Sequence, residues 1–174
     1  MACLLKGGGG LYNRLSLGAV VLAAGQGSRL GNRPKSLIEL AGIPLIRRQL
    51  IALSGAGVDQ LVVVLGHYAS QIRPFIEDFP ITVVDLSDYP EASQKLSVQQ
   101  GVSALQGKFD AVLVVPSDMP LLGTADYTDL IGAYKKRPEG ARMVRPMVSE
   151  VPGNPVIVDY AITEESESSV EPLC

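Results

Sequence analysis

Short apolar runs alternate along the chain with segments whose apolar residues fall at helical spacing. The runs are Gly18–Ala23, Gln60–Leu65, Ile81–Val84, Ala111–Val115 and a weaker Arg142–Val148, each four to seven residues long and rich in Val, Ile or Leu. Continuous rather than alternating apolar character is what a strand buried on both faces requires. Pro44–Leu53 carries Leu45, Ile46, Leu50 and Leu53 on one helical face, with Pro at its first turn and Gly55 and Gly57 to stop it. Ala69–Phe79 groups Ile72, Phe75, Ile76 and Phe79, and Gln94–Leu105 groups Leu96, Val98, Val102 and Leu105. Asp126–Tyr134 follows Thr124 as N-cap and presents Tyr127, Leu130, Ile131 and Tyr134.

This alternation predicts an α/β fold, a doubly wound, mostly parallel sheet with helices on both faces. Ligands of such sheets bind beyond the carboxyl ends of the strands. The loop after Ala23, the stretch Asp85–Gln94 and the loop after Val115 then share one functional rim. Residues 1–16 contain four consecutive glycines and no period, which predicts a flexible leader. Residues 17–160 are expected to form the α/β domain, and residues 161–174 an acidic Ser- and Glu-rich tail, truncated or disordered. Lys6 and Arg14 ahead of Leu15–Gly25 also have the outline of a secretory signal. A buried first strand explains the same letters and leads straight into a chemically loaded loop.

Composition narrows the function classes. The 174 residues carry 15 Lys and Arg against 18 Asp and Glu, a net charge of −3, so nucleic acid is excluded as the main partner. A hydrophobic fraction of 47% excludes a disordered chain. No apolar run approaches the ~18 residues of a membrane span, so no membrane partner is expected. Cys3 and Cys174 form no disulfide framework, which predicts a reducing, cytoplasmic setting. The oligomeric state is not legible at this level.

The chemistry concentrates in Ala23–Leu37, AAGQGSRLGNRPKSL. Gly25, Gly27 and Gly31 let backbone N–H groups approach an anion, while Arg29, Arg33 and Lys35 bring cations to the same loop. That combination suits a polyphosphate. A dinucleotide fingerprint fits poorly, because the third Gly falls four residues after the second and Arg33–Pro34 interrupts any helix there. No Walker Gly-Lys-Ser/Thr stretch exists. In Val115–Leu122, VPSDMPLL, Asp118 stands at a strand's carboxyl end between Pro116 and Pro120. It is either a turn-capping Asp or a carboxylate for Mg²⁺, which takes few protein oxygens besides phosphate and water. Lys95 reads equally as a solvated charge or a ligand contact. Gly101, unfavourable within a helix, marks either plain packing or a close approach to the glycine loop. His67, lacking a Ser or Cys partner motif, is a poor catalytic candidate, and Asp85 and Asp88 read as turn residues.

LAAGQGSRLGNRPKSLIELAGIPLI resembles the signature of nucleotidyltransferases with the GT-A-like Rossmann fold, roughly L-A-[AG]-G-x-[GS]-x-R-[ML]-G-x-x-K followed by G-x-P-L-[IL]. Leu22, Ala23, Ala24, Gly25, Gly27, Arg29, Leu30, Gly31 and Lys35 match, as do Gly42, Pro44 and Leu45. The group most similar is the molybdenum-cofactor enzymes of MobA and MocA type; sugar-1-phosphate nucleotidylyltransferases share the Pro34–Lys35 pair. The resemblance covers Leu17 to Val158. It implies that Leu22, Ala23, Ala24, Gly25 and Gly27 cradle a nucleoside triphosphate. Arg29 would hold the β/γ-phosphates, Lys35 the α-phosphate, and Asp118 the catalytic Mg²⁺. Ser97, in the S-[LV]-x-x-G pattern of Ser97–Gly101, would face base and ribose, and Asn154 the acceptor pocket. Ala24 leans towards CTP as the donor. The implied function is Mg²⁺-dependent transfer of CMP from CTP to a phosphorylated acceptor such as a molybdopterin-type cofactor, with pyrophosphate released. The alternatives are a sugar-1-phosphate nucleotidylyltransferase, a non-catalytic nucleotide-binding domain, and a nicotinamide-dependent oxidoreductase on the same sheet. The family's late acidic motif, D-[IV]-[DN]-T, has no counterpart before Cys174.

Overall fold

A computed structural model of the chain describes residues 14–26 and 34–163. It begins with β1 (Leu17–Ala23); after a 3-10 turn at Lys35–Leu37 come β2 (Glu39–Leu40), β3 (Ile43–Pro44) and α1 (Leu45–Gly55). Next are β4 (Gln60–Leu65), α2 (Ala69–Ile72), β5 (Thr82–Asp85), α3 (Gln94–Ser103), β6 (Ala111–Pro116) and α4 (Thr124–Lys135). Four short strands follow, β7 (Met143–Val144), β8 (Met147–Val148), β9 (Val151–Pro152) and β10 (Val156–Asp159). Among the described residues one six-stranded sheet has the order β5-β4-β1-β6-β10-β7. β5, β4, β1 and β6 run parallel, whereas β10 is antiparallel to both β6 and β7.

The two-sided burial predicted for the central strands is what the sheet contains. In β1, Leu17, Ala19, Val21 and Ala23 pack on one face beneath α1, α2 and α4, with Ile46, Leu50, Leu53, Ile72, Tyr127, Ile131 and Tyr134. Val20 faces the other way, with Val62, Val64 and Val112, against Val102 and Leu105 at the end of α3. The chain moves outward from β1 through β4 to β5, then crosses back to β6 on the other flank of β1. That reversal opens a crevice at the carboxyl ends of β1 and β6.

Several local expectations are corrected. The helix expected over Ala69–Phe79 stops at Ile72 and continues as a 3-10 turn, Arg73–Phe75. Pro74 has no N–H for the carbonyl four residues back and would clash with it. Ile76 stays buried, but Phe75 is left exposed. Gln94–Leu105 ends at Ser103, and Asp126–Tyr134 is longer than expected, because Thr124 lies inside it. The N-cap is Gly123, whose N–H donates to the Asp126 carboxylate at 2.8 Å. Arg142–Val148 splits into β7 and β8 around Arg145–Pro146. β10 was not expected as a strand. It is fastened by Asp159, which accepts from the Tyr134 hydroxyl and from Arg137 at 2.9 Å and lies 3.6 Å from Arg142.

Gly101 is explained by packing. A Cβ there would lie 2.3 Å from Val20 Cγ1 and 2.9 Å from Val64 Cγ2, so α3 sits directly on β1 and β4. Both valines are fully buried and stiff at χ1. Gly101→Ala is therefore expected to destabilise the fold by about 1–3 kcal/mol despite its better helix propensity. Urea unfolding of parent and variant checks this.

Candidate active site

The crevice is a cleft of about 270 Å³. Its floor is backbone and small side chains of Leu22, Ala23, Ala24 and Gly25, at and just past the end of β1. On one side the loop after β6 is zipped to this floor, for the Ser117 N–H donates to the Leu22 carbonyl at 3.0 Å. Lys35 enters from the opposite side on its 3-10 turn, closed by Leu37 N–H to Pro34 carbonyl at 3.0 Å. Its ammonium lies 3.7 Å from the Asp118 carboxylate, and the two side chains are 36% and 40% exposed. An ion pair this open adds little stability. Both charges instead remain available to a charged ligand in the cleft.

The start of α3 supplies the third wall. Ser93 caps it, accepting the Leu96 N–H at 3.1 Å, and Gln94 and Ser97 line the cleft. Ser97 is buried, and its hydroxyl donates to the Ser93 carbonyl at 3.2 Å. Its lone pairs are left to accept from a ligand. The helix N-terminus adds partial positive charge along the same wall.

The glycine loop is tied to the 85–94 segment. The Gln26 amide donates to the Pro90 carbonyl at 3.0 Å, and the Tyr68 hydroxyl donates to the Gln26 carbonyl at 3.1 Å. Gly66, just past β4, is held to glycine by proximity, since a Cβ would lie 2.7 Å from the Ala24 carbonyl oxygen. A second hollow of about 120 Å³ adjoins the cleft through Ala24, Gly25 and Ala92, with His67 and Tyr89 on its wall. His67 also stacks edge-on to Tyr68 with ring centres 4.6 Å apart.

Leu22, Ala23, Ala24, Gly25, Lys35, Ser97 and Asp118 thus come together around one cleft. Gly27 and Arg29, with Gly31 and Arg33, lie outside the described residues. Lys95, Asp88 and Asn154 are exposed and are not among the described residues lining it. Gln49 was missed. It is fully buried on the apolar face of α1, and its amide N–H donates to the Met119 carbonyl beside Asp118. Its carbonyl accepts from the Tyr127 hydroxyl. Burial, and secondarily the Asp126 carboxylate, push the Tyr127 phenol above its usual range, so it stays a donor. The only sequence signal was an uncharged Gln at a helix position that otherwise calls for an apolar residue.

Among the described residues no group of three or more His, Cys, Asp and Glu could form a metal cage. Asp118 is the carboxylate among the described cleft residues. One half-exposed carboxylate fits Mg²⁺, which is commonly bound by one or two protein carboxylates together with substrate phosphates.

A sequence model described as the MobA-like NTP transferase domain matches residues 19–171. The chain belongs to this family. As an NTP transferase domain it is 34% identical over 173 residues to the bifunctional protein GlmU of Chelativorans sp. (strain BNC1), covering 92% of this chain and 37% of the relative. The chain spans about a third of the length of that relative and of the similar GlmU of Clavibacter sepedonicus. Among solved structures, a nucleotidyl transferase of Methanothermobacter superposes with a TM-score of 0.70 at 25% identity, covering 88% of this chain and 76% of that one. The 4-diphosphocytidyl-2C-methyl-D-erythritol synthase of Anaerococcus prevotii shares the fold, with a TM-score of 0.66 at 18% identity over 91% of this chain and 80% of that one. No helix among the described residues of the NTP transferase domain is long and apolar enough to cross a membrane.

Asp85, at the end of β5, is held by structure. Hydrogen bonds from the Ser87 side chain and N–H, then the Arg73 guanidinium at 2.6 Å, keep its carboxyl below the usual range against the opposing effect of burial. A depressed pKa contributes stability above the unfolded value of about 3.9 and loses it as pH falls through the folded value. Asp85→Asn is therefore expected to flatten the acid limb of the stability profile below about pH 4, measured as urea midpoint against pH.

Proposed function

We propose that this domain transfers a nucleoside monophosphate from a nucleoside triphosphate to a phosphorylated small molecule, with pyrophosphate released. The observation that carries the reading is the meeting of Lys35 and Asp118, from separate elements, over a backbone floor at the carboxyl ends of β1 and β6. The acceptor phosphate oxygen attacks the α-phosphorus in line, a new P–O bond forms, and the bond to the β-phosphate bridging oxygen breaks. A phosphate nucleophile is already anionic, so no general base is needed. Lys35 stabilises charge on the α-phosphate, and Arg29 is assigned to the β/γ-phosphates on the family signature. Asp118 would hold Mg²⁺, which neutralises phosphate charge when bound.

CTP is the proposed donor, supported by Ala24, which lines both the cleft and the adjoining hollow. A molybdopterin-type acceptor is supported by the family, whose description is MobA-like. A second reading, a sugar 1-phosphate as acceptor, is supported at least as well by the GlmU relatives and by Pro34–Lys35. Pyrophosphate release with CTP, GTP, UTP and ATP, each paired with molybdopterin and with hexose and hexosamine 1-phosphates, tests both. Release with CTP and the pterin supports the first reading, and release with a sugar phosphate supports the second. Nucleotide binding without release for any pair overturns transfer.

Two variants bear on the assignments. Lys35→Ala is expected to lower turnover about 10²–10³-fold, as loss of an oxyanion donor does, with the fold intact. Asp118→Asn should shift stability by less than about 0.5 kcal/mol while removing the Mg²⁺ dependence of nucleotide binding. Steady-state kinetics, urea unfolding and calorimetry at graded Mg²⁺ read these effects.

A further inference from the structure

Asp118 is placed by contacts on either side of it rather than by its own. Ahead of it, the Ser117 N–H bonds the Leu22 carbonyl at 3.0 Å. Behind it, the Met119 carbonyl accepts from Gln49. Among the described residues the carboxylate itself has only the open 3.7 Å pair with Lys35. The loop's angle over the cleft therefore depends on whether Gln49 points its N–H₂ at Met119. The Met119 carbonyl can only accept and so takes the amide N–H₂, while the Tyr127 hydroxyl donates to the Gln49 carbonyl and anchors the other end of the amide. Gln49 and Tyr127 are both fully buried, from α1 and α4, so no water competes for these groups. Buried polar groups are costly unless paired. An apolar residue at position 49 would fill the same core, so packing alone does not explain the Gln.

We propose that Gln49 is a positioning residue, anchored by Tyr127, that holds the Met119 carbonyl and thereby aims Asp118 at the metal–phosphate site of the reaction proposed above. The relay links the packing of α1 against α4 to the acidic loop. Mutation of groups that orient a metal ligand typically costs 10–100-fold in metal affinity. Gln49→Leu is therefore expected to raise the Mg²⁺ half-saturation for CTP binding about 10-fold, leaving affinity at saturating Mg²⁺ within about twofold. In the free chain it should also speed amide hydrogen exchange across residues 117–122 without exposing β1 or β4.

The single variant strands the Tyr127 hydroxyl, so its melting temperature should fall. The double variant Gln49→Leu/Tyr127→Phe removes that buried orphan, and melting should partly recover while the Mg²⁺ shift persists. Recovery of stability without recovery of Mg²⁺ dependence separates positioning from a structural role. The proposal is overturned if exchange across 117–122 stays at the parent rate, or if the double variant restores the parent Mg²⁺ dependence. It is likewise overturned if exchange rises equally throughout the sheet. If the parent shows no Mg²⁺-dependent binding of CTP, GTP, UTP or ATP, the function proposed above fails, and the exchange measurement alone supports or overturns the hold of Gln49 on the loop.

Discussion

β1 is paired on both edges and covered on both faces, and the cleft hangs from that constraint. Its partners β4 and β6 run parallel to it, with Ala23 opposite Leu65 and Leu22 opposite Pro116. The three chains therefore leave the sheet together at one end. The glycine loop, the Gly66–Tyr68 turn and the Ser117–Asp118 loop have nowhere to go but the same rim. Gly101 and Gly66 permit these close approaches, the first of α3 to Val20 and Val64 and the second of the turn after β4 to Ala24. A single methyl at either place would separate parts that must touch.

The distribution of buried polar groups follows the same logic. Ser36, Gln49, Ser97, Ser117 and Thr163 are the buried polar side chains among the described residues. Three of them line the cleft, and a fourth, Gln49, props the loop that carries Asp118. Polar groups cost free energy in a core, so their concentration around one crevice separates it from the rest of an interior built of Val, Leu, Ile and Tyr. The charges that face the cleft are, by contrast, left open. Lys35 and Asp118 contribute little to the fold, and this frees them for a ligand. The apolar packing lies in the sheet and its helices and the open charges at the strands' carboxyl ends, joined by the hydrogen bonds of Gln49 to Tyr127 on α4 and to Met119.

The amino-acid sequence by itself determined the four parallel strands and the loops that leave them. Continuous apolar runs are local, and so are the glycines of the β1 loop and the prolines around Asp118; each can be read without knowing what lies opposite. The rim position of Lys35 and Asp118 follows from those elements and the handedness of α/β connections. Tertiary structure alone decided the rest. β10 is four residues long, and its antiparallel insertion between β6 and β7 depends on Asp159 meeting Tyr134 and Arg137, a contact no local period encodes. Gly101 had two readings until Val20 and Val64 were seen against it. Gln49 went unmarked in the sequence, because its partners come from Met119 and Tyr127, far along the chain. Periodicity reports which side of an element is buried, whereas what a buried polar group touches is set by elements brought together only when the layers close.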